Sequence, residues 1–186
     1  FPRQSAPALL LADRLAANEI IVLVQGHIVN LRGQAAVQDT IAVRVAPDPG
    51  IEPFADFLHR TRLHDAPPNP NRPVDTEMLA DKLPAAIEAA TNHLLERRGE
   101  LVTSTAPRLA EATARLDELR QRHARKIELD FERSGELETV RVGKREQRRR
   151  DLERMFRAHS DWVEQTLKTE PKPTLTVLAV FCGEST

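Results

Sequence analysis

The chain of 186 residues has no tyrosine, one tryptophan and six phenylalanines, which weakens any reading that relies on stacking nucleic-acid bases on an aromatic platform. Its single cysteine, Cys182, excludes an intramolecular disulfide and a cysteine-built zinc site, and fits a reducing cytosol. The longest apolar runs, residues 20–24 and 175–182, fall far short of a bilayer span. No basic start followed by an apolar stretch and a cleavage site is present, and a cytoplasmic, non-membrane protein is expected. The phosphate-cradling pattern GxxxxGK[ST] is missing: Gly143-Lys144 has neither the upstream glycine at the right spacing nor a following Ser or Thr. HExxH and Cys/His clusters are also missing, and no metal site is expected. The chain starts at Phe1 rather than Met and is read as a piece of a longer protein.

What the chain has in quantity is charge, unevenly placed. The formal net charge is −1, yet residues 120–157 hold 13 Lys/Arg against 8 Asp/Glu. That local excess of positive charge points to an anionic partner, although it says nothing of fold. Apolar residues make up 40%, enough for a core, while the negative mean hydropathy of −0.44 implies much exposed helix.

Four segments emerge along the chain. Residues 1–65 are strand-rich with short helices. The segment SAPALLLADRL at 5–15 reads as a short helix, with Ser5 as N-cap and Pro7 in its first turn. Val- and Ile-rich runs at 20–29 and 35–46 predict a hairpin or three-stranded meander, turning near Arg32-Gly33-Gln34, with a bulge at Gly26. A short helix is expected over 52–64. Residues 66–73 (APPNPNRP) read as a proline-rich linker.

Residues 74–168 read as a helical arm. Asp75 or Thr76 is the expected cap, and Leu79, Leu83, Ala86, Ala90 and Leu94 form a stripe. Pro84 is expected to kink or start that helix, and Gly99 and Pro107 to interrupt it. A heptad-like seam follows: Leu109, Ala112, Leu116, Leu119, His123 and Ile127. A loop is expected over 136–143. The last helix, 144–168, places Leu152, Phe156, His159, Val163 and Leu167 on one face, so an antiparallel hairpin is predicted, with His123 and His159 facing each other. Residues 169–186 hold a C-terminal strand, too apolar to lie at an edge and expected to pair with the early strands. The expected fold class is α+β, a small antiparallel β-sheet with an inserted long antiparallel helical hairpin, coiled-coil-like.

The candidate functional residues are Arg145, Arg148, Arg149, Arg154 and Arg157, in and just after the run KREQRRR. Guanidinium groups bind phosphates bidentately, and such contacts supply most sequence-independent affinity for nucleic acid. The competing reading is a solvated face paired internally, because Glu146, Asp151 and Glu153 lie at pairing distance. Ser160, between His159 and Asp161, holds the residue types of a hydrolase triad, but consecutive helical side chains diverge by about 100° and cannot converge. No catalytic residue is assigned. Trp162 is expected to anchor the core where helix and sheet meet.

The order of an Arg-rich helix, then Arg157, Asp161, Trp162, Val163, Glu164 and Thr166, then Thr169, Glu170, Pro173, Leu175, Val177, Leu178, Ala179 and Val180, resembles the C-terminal end of large bacterial Swi/Snf-type helicases. These superfamily-two translocases include members of phage-defence islands such as DISARM. The stretch IVNLRG at 28–33, leading into a strand at 41–45, is compatible with the region after their second motor lobe. The resemblance implies a non-catalytic accessory domain of an ATP-dependent translocase on double-stranded DNA, which would contact DNA phosphates or position and regulate the motor. ATP and Mg would bind an upstream motor in the same chain, and no motor residue carries over to this sequence. The alternative is a protein–protein interaction module that docks a partner through the helical arm.

Overall fold

A computed structural model describes residues 6–11, 14–65, 73–133 and 137–183. The fold is α+β: a five-stranded sheet, with a helical hairpin inserted in the sequence before the last strand. The chain divides into two compact units. One comprises Phe1–Val29, Gln34–Gly99 and Glu170–Thr186; the other comprises Asn30–Gly33 and Glu100–Thr169. The division falls inside a long helix, not at the proline-rich connector, most of which (66–72) lies outside the described residues.

The first unit holds the sheet. Its strands are β1 (Ala8–Leu10), β2 (Ile20–Val29), β3 (Ala35–Ala46), β4 (Gly50–Pro53) and β5 (Thr174–Cys182), in the order β1-β5-β2-β3-β4. As its apolarity predicts, β5 is interior, antiparallel to β2. The helix expected over 5–15 is not there. Residues 8–10 form β1, and Ser5, its expected cap, lies outside the described residues. Ala and Leu are good helix formers, but pairing Ala8 with Val180 and Leu10 with Cys182 satisfies the backbone and brings Leu9 against apolar neighbours. Because β1 runs parallel to β5, the sheet is mixed rather than wholly antiparallel.

Both sheet faces are covered where the strands are most apolar, which is why residues 20–24 are all buried. On one face Val22, Val24, Ile41 and Val43 pack with Leu79, Ala86 and Ala90. On the other, Ile21, Leu23, Ala42 and Phe181 pack with Leu11, Leu15 and Phe57. The Phe57 and Phe181 rings are 5.1 Å apart and tilted by 49°, a favourable aromatic geometry. The β2–β3 turn contains Gly33 at φ 77°, as expected near Arg32-Gly33-Gln34. Gly26 is not a bulge: it stays in register with Asp39 and Leu175, and the ladder irregularities lie elsewhere. Its reason is a close approach, since a Cβ there would stand 2.2 Å from Leu94 Cδ1.

The helix expected over 52–64 is shorter. Gly50 and Ile51 join the sheet opposite Arg44 and Val43, and α1 spans Phe54–Thr61, followed by a 3₁₀ turn at Leu63–Asp65. Arg60 of α1 is an electrostatic hub. It donates to Glu52 at 3.0 and 3.2 Å and stands 3.1 Å from the nearly buried carboxylate of Glu19. The hydrogen bond to Glu52 leads in pushing the guanidinium pKa up, against the opposing effect of burial.

Helix α2 (Thr76–Glu132) starts as predicted, with the Asp75 side chain accepting from the amides of Glu77 and Met78. It runs unbroken through Pro84, Gly99 and Pro107, contrary to the expected kink and interruptions. An interior Pro costs about 3 kcal/mol and a Gly about 1 kcal/mol, and 57 residues of helix spread those costs. Around Pro84, burial of Leu79, Ala86 and Ala90 against the sheet offsets the lost bond. Burial pushes the Cys182 thiol pKa up. Among the described residues no helix is long and apolar enough to cross a membrane.

The second unit is an antiparallel hairpin of the rest of α2 and α3 (Glu138–Leu167), so residues 138–143 are helix rather than loop. The observed seam departs from the predicted heptad. After Leu116 it passes through Arg120, Ala124, Ile127 and Phe131, leaving Leu119 and His123 exposed. Steps of four dominate because a straight α-helix turns every 3.6 residues and drifts from a seven-residue repeat. His123 meets the Phe156 ring and His159 the Trp162 ring, so the two histidines do not face each other.

Candidate nucleic-acid interface

All five predicted arginines lie on α3, whose Arg-, Glu- and Gln-rich stretch has high intrinsic helix propensity. The structure separates them. Arg145 is half-buried in the hairpin, 3.5 Å from Glu128 of α2. Arg148 lies over the Phe131 ring at 5.4 Å, a cation–π contact. Neither lines the groove described next.

Arg149, Arg154 and Arg157 do. They line a surface groove of about 640 Å³ with Arg150, Leu152 and Glu153 of α3 and Ala124 of α2. Four guanidinium groups thus surround one space against a single lining carboxylate. Arg150, Arg154 and Arg157 stand at i, i+4 and i+7, which puts them on one helix face over about 10 Å of axis. Arg150 belongs to this stripe although it was not among the five predicted residues. The i, i+4, i+7 spacing was the signal that singles it out.

Each arginine's present company sets its availability. Arg154 pairs with Asp151 at 2.9 Å, but both side chains are more than half exposed, and such pairs contribute about 0–1 kcal/mol. Arg150 donates to the neutral Gln147 side chain at 3.3 Å. Arg157 has no carboxylate partner among the described residues. Arg149 reaches Glu128 at 3.1 Å, and Glu153 is itself drawn to Arg120 at 3.5 Å. The groove therefore presents positive charge that little inside the hairpin consumes. It has no aromatic lining, so it offers no means of stacking bases.

Trp162 is not the predicted core anchor. It is half exposed, with the Arg32 guanidinium 5.9 Å above its ring. It belongs to a local clamp in which Asn30 donates to the Thr166 carbonyl at 3.1 Å and Leu31 N–H to that of Lys168 at 3.0 Å. These bonds occupy carbonyls left without helical partners at the end of α3. In the first unit, His93 and Asp39 meet at 2.9 Å as a single part-buried pair. Among the described residues no group of three or more His, Cys, Asp or Glu side chains is placed to hold a metal ion.

The chain matches no known protein family, no curated protein and no solved structure.

Proposed function

We propose that this chain is a non-catalytic accessory domain of an ATP-driven DNA translocase, whose hairpin contacts the phosphates of double-stranded DNA without reading sequence. The observation that carries the DNA contact is the groove, where Arg149, Arg150, Arg154 and Arg157 converge and Arg157 has no carboxylate partner among the described residues. A phosphate accepts bidentate bonds from a guanidinium, so exchanging the exposed Arg154–Asp151 pair for a phosphate contact costs little. The translocase setting rests on the resemblance of the C-terminal residues, and any ATP and Mg would belong to an upstream motor.

Fluorescence anisotropy with duplex DNA tests the contact. The protein should bind at ~50 mM salt, with log affinity falling by about 0.9 per phosphate neutralised for each decade of salt. The triple variant Arg150→Ala/Arg154→Ala/Arg157→Ala should lose at least ~10-fold in affinity and flatten that slope, while Arg148→Ala should lose less. Absence of duplex binding by the wild type at ~50 mM salt overturns the reading, and preference for an RNA competitor would change its substrate.

A second reading, a protein-interaction arm, is favoured by Met155 and Trp162, seven residues apart on α3 and each about half exposed. It predicts self-association or a co-purifying subunit in size-exclusion chromatography with light scattering.

A further inference from the structure

We propose that Glu128 is a built-in competitor for phosphate at the arginine groove, so that this one carboxylate sets how tightly the hairpin holds DNA. The proposal rests on the groove being a phosphate site.

The hairpin seam brings Glu128 of α2 opposite α3. Its Oε2 is 3.5 Å from an Arg145 terminal nitrogen and its Oε1 is 3.1 Å from Arg149 Nε. One carboxylate therefore serves two guanidinium groups, of which only Arg149 lines the groove. The fit is imperfect: Glu128 Oε1 and Arg145 Nε are buried atoms without a hydrogen bond among the described residues. Proximity of charge holds the cluster together, and aligned bonds do not. A backbone phosphodiester offers Arg149 both of its non-bridging oxygens, whereas Glu128 divides its two oxygens between Arg149 and Arg145.

Charge bookkeeping favours the exchange. When Arg149 turns to a phosphate, Arg145 stays beside Glu128, so the carboxylate is not left unpaired in the seam. That keeps a counter-charge beside the part-buried carboxylate. Until the exchange occurs, the negative charge of Glu128 opposes an arriving phosphate both by repulsion and by occupying Arg149. Arg150, Arg154 and Arg157 have no such opponent from α2 among the contacts described, so they serve as the initial landing points and Arg149 as the adjustable one.

The test is Glu128→Gln, which keeps size and removes charge. Duplex DNA binding, followed by anisotropy across a salt series, should tighten by roughly 3- to 10-fold at ~50 mM salt. The salt slope should steepen by about one phosphate contact, or about 0.9. Arg149→Ala should lower affinity in the wild type, and Glu128→Gln should give no gain in the Arg149→Ala background. If Glu128→Gln lowers the helical signal by circular dichroism, Glu128→Asp carries the test, because it keeps a negative charge in the seam while drawing it back from Arg149, and it too should bind more tightly. Binding equal to or weaker than wild type in the folded variant overturns the proposal, and weaker binding would mean that Glu128 positions Arg149. If neither wild type nor variant binds duplex DNA, the phosphate reading of the groove falls as well.

Discussion

Phe57 and Phe156 are both buried phenylalanines, but their surroundings have little in common. Phe57 is fully enclosed against Phe181 and the apolar side chains of β2 and β3. Phe156 is 8% exposed, and its closest ring neighbour is the exposed His123. Around them the contrast repeats. Among the described residues the sheet unit buries twenty apolar side chains and the hairpin two, Phe131 and Phe156. Desolvation of apolar surface holds the sheet unit together. The hairpin depends far more on helix propensity, local charge pairs and a thin seam. That leaves the hairpin's surface free to carry charge, and it is where the arginine groove lies.

Truncating each phenylalanine to alanine puts that contrast under the largest load. Phe57→Ala should cost about 3–5 kcal/mol in urea unfolding followed by circular dichroism. Phe156→Ala should cost about half as much, because a two-helix seam relaxes around the space left. Equal losses would erase the distinction between the units.

Ion pairs sharpen it at a smaller scale. Arg60→Ala leaves the Glu19 carboxylate, 6% exposed, without its guanidinium, and should cost about 1–3 kcal/mol. Arg60→Lys should recover part of this, since an ammonium cannot reproduce the fork that serves Glu52 and Glu19 together. Smallest of all, Arg122→Ala in the hairpin removes an exposed i,i+4 pair with Glu118 and should cost no more than about 0.5 kcal/mol, vanishing in high salt. A loss there matching that of Arg60→Ala would mean that the hairpin relies on its charges far more than their exposure suggests.

Much of the sheet was legible because Val and Ile runs leave little choice of conformation. The burial of residues 20–24 and the interior place of β5 followed from apolarity alone. β1 was illegible for the opposite reason: Ala8, Leu9 and Leu10 prefer helix locally, and only the unpaired side of β5 makes them a strand. The continuity of α2 was hidden because Pro84 and Pro107 are local signals, whereas what opposes them is distributed along the helix. In the site, the arginines were visible as a run, but their division was not. Whether Arg148 faces solvent or lies over Phe131 depends on a residue seventeen positions away, on the other helix. Arg150 was recoverable in principle from its spacing to Arg154 and Arg157. Glu128 was not, because nothing in the local sequence aligns it with Arg145 and Arg149.

The half-exposed Trp162 beneath Arg32 has one more consequence. With no tyrosine in the chain, intrinsic fluorescence excited at long ultraviolet wavelength comes from that indole alone and reports on the hairpin only. The sole thiol, buried Cys182, belongs to the sheet unit and becomes reactive when that unit opens. The protein thus carries an optical label in one unit and a chemical label in the other, and an unlabelled sample can show whether the two come apart together or in turn.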